Sequence, residues 1–271
     1  MIKLIVLDVD GTLVNDDKII TYRTKKALIK AQEMGIKVAI ASGRAPQGIK
    51  RFADELDFEK YENFISAQNG TILVDYKTKE VLANHLLDYE DAKRILKYVK
   101  GMGLSVLIYH DNKVYTDNRK NFLVETTVEE NNGIITEKKD LLDDLHFTPN
   151  NIVFTGKRDI LPPAMEKIGP EFESVFDMVL TSGIYYEAMP QGISKATSLK
   201  DIAEIYGIDI SETLAFGDSD NDLQLIKEAG VGVAMENATA NVLEVADYVT
   251  KNNNEDGIAD YLERFVLNQE D

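Results

Sequence analysis

The run Ile2-Lys3-Leu4-Ile5-Val6-Leu7, followed at once by Asp8-Val9-Asp10-Gly11-Thr12-Leu13, decides how this chain is read. Its first half is short, apolar and rich in β-branched residues, the composition of a strand buried on both faces of a parallel sheet. It is too short for the core of a signal peptide and is closed by two aspartates, and no other apolar stretch is long enough to span a bilayer. A cytoplasmic location with no membrane partner is expected.

Beyond that run, residues 21–34 place Ala27, Leu28, Ala31 and Met34 on one helical face, and Gly35 stands where a left-handed cap would end the helix. Ile36–Ala41 reads as a second buried strand, which makes a strand-helix-strand unit with a right-handed crossover. The C-terminal third repeats the rhythm. A helix from about Lys195 to Tyr206 is closed by Gly207, a strand follows at Thr213–Phe216, a helix at about Asp222–Ala229 is closed by Gly230, and a strand lies near Val231–Ala234. The expected fold class is α/β, a doubly wound, mainly parallel Rossmann-like core sheet built from 1–84 and 187–271. Residues 85–186 read differently. Hairpin-like pairs such as Ser105–Tyr109 and Lys113–Thr116, around Asp111-Asn112, alternate with helices such as Tyr89–Met102, the pattern of an inserted α+β domain.

The chain has 271 residues, 44% of them hydrophobic, enough for a sizeable core. With 47 acidic against 30 basic residues its net charge is −17, a field that repels nucleic acid and anionic membrane alike. A phosphorylated ligand feels the same repulsion, so a phosphate site here must invert the local sign with a metal ion, a lysine or helix N-termini. There is no cysteine, which removes thiolate nucleophiles and thiolate metal sites. The sequence maps no surface and so carries no expectation of oligomeric state.

Asp8 and Asp10 stand just past the first strand, at the carboxyl edge where open α/β sheets bind ligands. In extended chain residues i and i+2 point the same way, so the two carboxylates would face each other and raise a pKa unless a cation shares the site. Turn capping by the same aspartates is the structural alternative. Gly11 and Thr12 add a tight turn whose N–H groups can face an anion.

A second acidic cluster, Gly217-Asp218-Ser219-Asp220-Asn221-Asp222, again follows an apolar strand. As a calcium loop it fails, because Leu223 occupies the glycine position and Ala229 the bidentate glutamate position. Helix capping by Asp220 or Asn221 is compatible with a metal role. Oxygen donors with no histidine or cysteine nearby favour magnesium over zinc. Lys195 follows Ser194 at the start of a helix, where a cation opposes the dipole and a bound anion would relieve the conflict. Ser42-Gly43-Arg44 ends the second strand ahead of a helix carrying Pro46 in its first turn; Ser42 is read either as that helix's cap or as a phosphate-binding hydroxyl.

In this order the motifs resemble those of the haloacid-dehalogenase-superfamily phosphatases, and within them the Cof-type sugar-phosphatase-like group. Asp8-Val9-Asp10-Gly11-Thr12-Leu13 is similar to the first motif, Ser42 to the second, Lys195 to the third and Gly217–Asp222 to the fourth. The likeness continues through Gly230–Met235, Ala246–Thr250 and Glu255-Asp256-Gly257; between the second and third motifs it is one of length and layout. The resemblance implies that residues 85–186 are a cap domain in which substrate choice is encoded. It implies Asp8 as a nucleophile that becomes an aspartyl phosphate, and Asp10 as the acid and base. Mg²⁺ would be held by Asp8, the Asp10 backbone carbonyl and Asp218, with Asp222 in support. Ser42, the backbone of Val9 and Gly43, Lys195 and Asn221 would hold the phosphoryl oxygens, and Arg44 and Asn69 would lie near the leaving group.

The implied activity is hydrolysis of small phosphorylated metabolites, sugar phosphates foremost, with Mg²⁺ as cofactor and no nucleic-acid partner. Competing readings are a phosphosugar mutase on the same fold, a phosphoryl-aspartate receiver or sensor, and a non-catalytic binding protein. The insertion argues against a receiver, and the full catalytic set against mere binding. In the insertion, Tyr109, Tyr115, Tyr185, Tyr186 and Lys157 are polar or aromatic candidates for substrate contact, although most tyrosines in such strands simply pack.

Overall fold

The opening run forms strand β1, Leu4–Leu7, with every residue buried. Its side chains divide by the period of two: Ile5 and Leu7 join one hydrophobic core, Leu4 and Val6 another. A strand apolar throughout belongs between two helical layers, and each such side chain removed from water contributes about 1.5–3 kcal/mol. The computed structural model describes residues 1–138 and 140–268, and by internal contacts they divide into two compact units.

The first unit comprises residues 1–43, 49–83 and the chain from Ser194 onward. Besides β1 its sheet contains β2 (Lys37–Ala41), β3 (Phe64–Ala67), β4 (Ile72–Asp75), β5 (Val81–Asn84), β12 (Thr213–Gly217), β13 (Val231–Ala234) and β14 (Tyr248–Val249). Across the sheet the order is β14-β13-β12-β1-β2-β3-β4-β5. β1 pairs in parallel with β2 on one side and β12 on the other, and only the pairing of β3 with β4 is antiparallel among the registers defined. The chain therefore winds outward in both directions from β1, which makes its carboxyl end the switch point of the sheet. Leu7 is level with Ile40 and with Phe216, so the residues that follow β1, β2 and β12 emerge along one edge.

The helices Tyr22–Glu33 and Gly257–Phe265 pack on the face that holds Ile5, Leu7, Val38 and Ile40. Lys195–Tyr206 and Leu223–Glu228 cover the face that holds Leu4, Val6, Ala39 and Ala41. Two details differ from the sequence reading. Met34 is exposed, at 48%, because it is the cap residue beyond the last helical turn; Gln32 is buried in its region instead, its amide donating to Leu56 O and accepting from Asn63 Nδ2. Gly35 and Gly207 do have left-handed φ, but Gly230 is needed for space, since a Cβ there would lie 2.4 Å from Ile210 O.

The second unit comprises Asn84–Ile193 together with Arg44–Gly48. Its sheet is built of β6 (Ser105–His110), β7 (Lys113–Thr116), β8 (Ile134–Glu137), β9 (Ile152–Thr155), β10 (Phe176–Thr181) and β11 (Tyr185–Pro190), in the order β10-β11-β9-β6-β7-β8. The pairings are antiparallel except for β7 with β8. Because β11 runs on to Pro190, the unit extends past residue 186. The helices Tyr89–Val99 and Leu161–Phe172 pack on Ile108, Phe154 and Ala188. The first of them stops at Val99 and not at Met102, as Lys100 has ψ 122 and Gly101 has φ 86. Arg44 and Ala45 belong here through hydrogen bonds to Glu130 O (2.6 Å) and Asn131 Oδ1 (2.7 Å). Among the described residues no helix is long and apolar enough to cross a membrane.

Candidate active site

The Asp8 N–H still donates to Phe216 O, and the chain turns beyond it. The carbonyl of Val9 accepts from the backbone N–H of Thr12, Leu13 and Val14, so residues 8–13 wind into a tight turn. Asp8 is buried, whereas Asp10 is partly exposed with its Oδ1 accepting from Lys18 Nζ at 2.7 Å. The neighbours that act on Asp8 are Lys195, Asp222 and Asp218.

Lys195 opens the helix Lys195–Tyr206, and its side chain is wholly buried. Its Nζ lies 2.6 Å from Asp8 Oδ1 and 2.6 Å from Asp222 Oδ1. The dipole conflict inferred from sequence is thus answered by the protein's own carboxylates. Asp222 uses its other oxygen as well, Oδ2 accepting from the N–H groups of Asp218 and Ser219 at 3.1 Å each. Asp218 Oδ1 accepts from the Thr12 hydroxyl at 2.7 Å. Glycine is required twice for this packing: a Cβ on Gly11, where φ is 82, would lie 2.5 Å from Asp218 Oδ2, and one on Gly217 would lie 2.6 Å from Asp222 Cβ.

The electrostatics follow from burial. Desolvation pushes the Asp8 carboxyl well above the usual carboxylate range; the Lys195 charge opposes this, while Asp222 and Asp218 add to it. Asp218 is pushed up to about 7, by burial first and by Asp222 next. Burial acts to lower the pKa of Lys195, but Asp222 and Asp8 more than reverse this and keep the ammonium charged. One carboxylate oxygen from each of Asp8, Asp218 and Asp222 lies within 4.8 Å of the others. A single lysine among three buried carboxylates leaves surplus negative charge, which protons or a hard divalent cation can neutralise.

The remaining residues named from sequence are placed as follows. Ser42 directly follows β2 and lies ahead of the helix Pro46–Glu55, too far from it to be its cap; its N–H donates to Ser66 O and its carbonyl accepts from Asn69 N–H. Gly43 lies against Asn69, a Cβ there falling 3.3 Å from Asn69 Oδ1. Asn69 Oδ1 accepts from Asn221 Nδ2 at 2.8 Å. Arg44 lies in the second unit, its guanidinium on Glu130 O. There Tyr109 and Tyr186 are buried, and the Tyr185 hydroxyl meets Thr127 Oγ1 at 2.8 Å. The sequence reading gave Thr12 a backbone role only and did not single out Lys18. A hydroxyl directly after Gly11 was the available signal for the first; the second has none, since Lys18 reaches Asp10 only because the loop folds back with φ 59 at that lysine.

Residues 5–262 match the family model for haloacid dehalogenase-like hydrolases. The Bacillus subtilis (strain 168) protein YxeH is 31% identical over 98% of this chain and 99% of its own. The 5-amino-6-(5-phospho-D-ribitylamino)uracil phosphatase YcsE of the same organism is 31% identical over 98% of this chain and 96% of its own. Among solved structures, a haloacid dehalogenase-like hydrolase from Bacteroides thetaiotaomicron superposes with a TM-score of 0.89 at 35% identity, covering 97% of this chain and 99% of the other. With a carboxylate, a lysine and a second acidic loop gathered at the switch point of a doubly wound sheet, the chain belongs to the haloacid dehalogenase-like hydrolases and is an enzyme of their phosphatase kind.

Proposed function

We propose that this enzyme hydrolyses small phosphorylated metabolites, sugar phosphates as a class, through a phosphoryl group carried on Asp8 and with Mg²⁺ as cofactor. The observation that carries the reading is the buried ion cluster in which Lys195 Nζ holds Asp8 Oδ1 at 2.6 Å beside Asp218. The donor set suits magnesium: carboxylate oxygens with surplus negative charge and neither histidine nor thiolate among them. Asp8 and Asp218, with the backbone carbonyl of Asp10, would hold the ion, while Asp222 is occupied by Lys195 and two backbone N–H groups. When bound, the ion neutralises phosphoryl charge and lets a carboxylate approach a phosphate dianion.

In this reading an Asp8 oxygen forms a bond to phosphorus as the bond to the leaving alkoxide breaks, and Asp10 gives that oxygen its proton. Water then attacks the phosphorus, Asp10 takes back a proton, and Asp8 departs as carboxylate with release of inorganic phosphate. Lys195 steadies Asp8 and offers positive charge to a phosphoryl oxygen, with Ser42, the N–H groups of Val9 and Gly43, and Asn221 as further donors. Residues 85–186 serve as the cap that selects the substrate; the name of the relative YcsE, a phosphatase of a phosphorylated ribityl compound, supports a phosphorylated polyol or sugar as the class.

Release of inorganic phosphate from a panel of sugar and polyol phosphates, with Mg²⁺ or with EDTA, tests this reading in wild type and Asp8→Asn. Magnesium-dependent release that vanishes in the variant is expected. A phosphoenzyme without turnover would point to a sensor, and a requirement for a bisphosphate to a mutase.

A further inference from the structure

Gln68, Asn69 and Gly70 follow β3 with φ of 48, 56 and 100 in succession. Two consecutive non-glycine residues in the left-handed region form a strained backbone that persists only where the surroundings over-determine it. Here they do. Gly70 is wedged against the chain ahead of the Lys195 helix, a Cβ at that position falling 2.1 Å from Ser194 O. The Asn69 N–H donates to Ser42 O at 2.9 Å, and its carboxamide lies over Gly43, in space a side chain there would crowd.

That carboxamide, 3% exposed, accepts from Asn221 Nδ2 at 2.8 Å. Asn221 Oδ1 is buried and meets no hydrogen-bond partner among the described residues. Asn69, in the loop after β3, therefore ties the loop after β2 through its N–H to the loop after β12 through its carboxamide, and those two loops supply proposed phosphate ligands. We infer that Asn69 is a positioning residue: its strained turn and carboxamide fix the rotamer of Asn221 and so the direction in which Asn221 donates to the phosphoryl group. An asparagine amide carries two N–H donors, and one spent on Asn69 leaves the other at a set angle. Asparagine suits the post, since it tolerates a left-handed backbone better than most residues with side chains. The inference rests on the phosphate role of Asn221 in the proposed function.

The test uses Asn69→Gly, Asn221→Ala and the double variant in the full chain. Glycine accepts the left-handed turn, so the first variant removes the carboxamide while keeping the backbone. Three readouts are needed: affinity for inorganic phosphate by calorimetry with saturating Mg²⁺, kcat/KM on a phosphomonoester, and the Mg²⁺ concentration for half-activation. Asn69→Gly is expected to weaken phosphate binding and lower kcat/KM by roughly ten- to a hundredfold, as displaced supporting groups do, with Mg²⁺ half-activation unmoved. The double variant should be no worse than Asn221→Ala alone, because Asn69 acts through Asn221. Losses that multiply in the double variant, or an Asn69→Gly enzyme equal to wild type, would overturn the inference. If wild type releases no phosphate from any substrate, the proposed function has failed, and the calorimetric cycle still decides the coupling between the two asparagines.

Discussion

Lys195 Nζ and Asp222 Oδ1 meet at 2.6 Å with both side chains completely buried. A pair so placed is held by its geometry and by the further hydrogen bonds of the carboxylate; without the Asp222 charge Lys195 keeps Asp8 as its partner, but two buried N–H groups lose an ionised acceptor. Asp222→Asn should therefore cost about 1.5–3 kcal/mol, the worth of hydrogen bonds to a charged group. For a chain of this size that corresponds to a fall in Tm of roughly 5–10 °C, at about 2–4 °C per kcal/mol. The variant should also lose most of its activity, since the N–H groups of Asp218 and Ser219 lose their carboxylate. A melting curve within about 2 °C of wild type would contradict the assignment.

Asp8→Asn is expected to separate stability from activity. Burial already disfavours the ionised Asp8, with Asp222 and Asp218 adding to that. Removing its charge should leave the metal-free protein melting no lower than wild type at pH 8, while turnover disappears. A variant that retains more than a few per cent of the wild-type rate would exclude Asp8 as nucleophile.

Metal removal and pH should act together. Burial, and next the Asp222 charge, push the Asp218 carboxyl up to about 7 in the folded protein, above the value of about 3.9 for an unfolded chain. A carboxyl whose folded pKa is raised holds its proton more tightly when folded, so its contribution to stability declines as pH rises from about 4 through 7. With EDTA, Tm should fall between pH 5.5 and pH 8. Saturating Mg²⁺ supplies the missing positive charge, so the rise in Tm on adding it should be larger at pH 8 than at pH 5.5. An equal rise at both values would remove the surplus-charge account of the site.

Gly11→Ala addresses the approach of the first loop to Asp218. A methyl group at φ 82 would overlap Asp218 Oδ2 at 2.5 Å, so the carboxylate must move. Strain at such a position is of order 1–3 kcal/mol, and displaced ligand geometry should raise the Mg²⁺ concentration for half-activation about tenfold or more. Titration of activity with Mg²⁺ reads this directly; an unchanged half-activation point would show that Asp218 has no part in holding the ion.

Much of this protein was legible in one dimension. The all-apolar strand β1, the glycine stops at Gly35 and Gly207, and the repeating strand-helix rhythm specify a parallel sheet between helical layers, because a backbone buried on both faces leaves no room for alternation. That sheet brings Asp8, Ser42 and the Asp218 loop to one end, since parallel strands expose the residues after each strand along a common edge. What the one-dimensional pattern could not carry was direction. Asp8 is buried while Asp10 takes up Lys18 from eight residues on, a partner that no spacing rule anticipates. The sharing of Lys195 between two carboxylates, and the tie from Asn69 to Asn221, join residues 187, 27 and 152 positions apart. Only the tertiary structure decides such contacts, because burial and charge are set by what packs alongside and not by what lies adjacent in the chain.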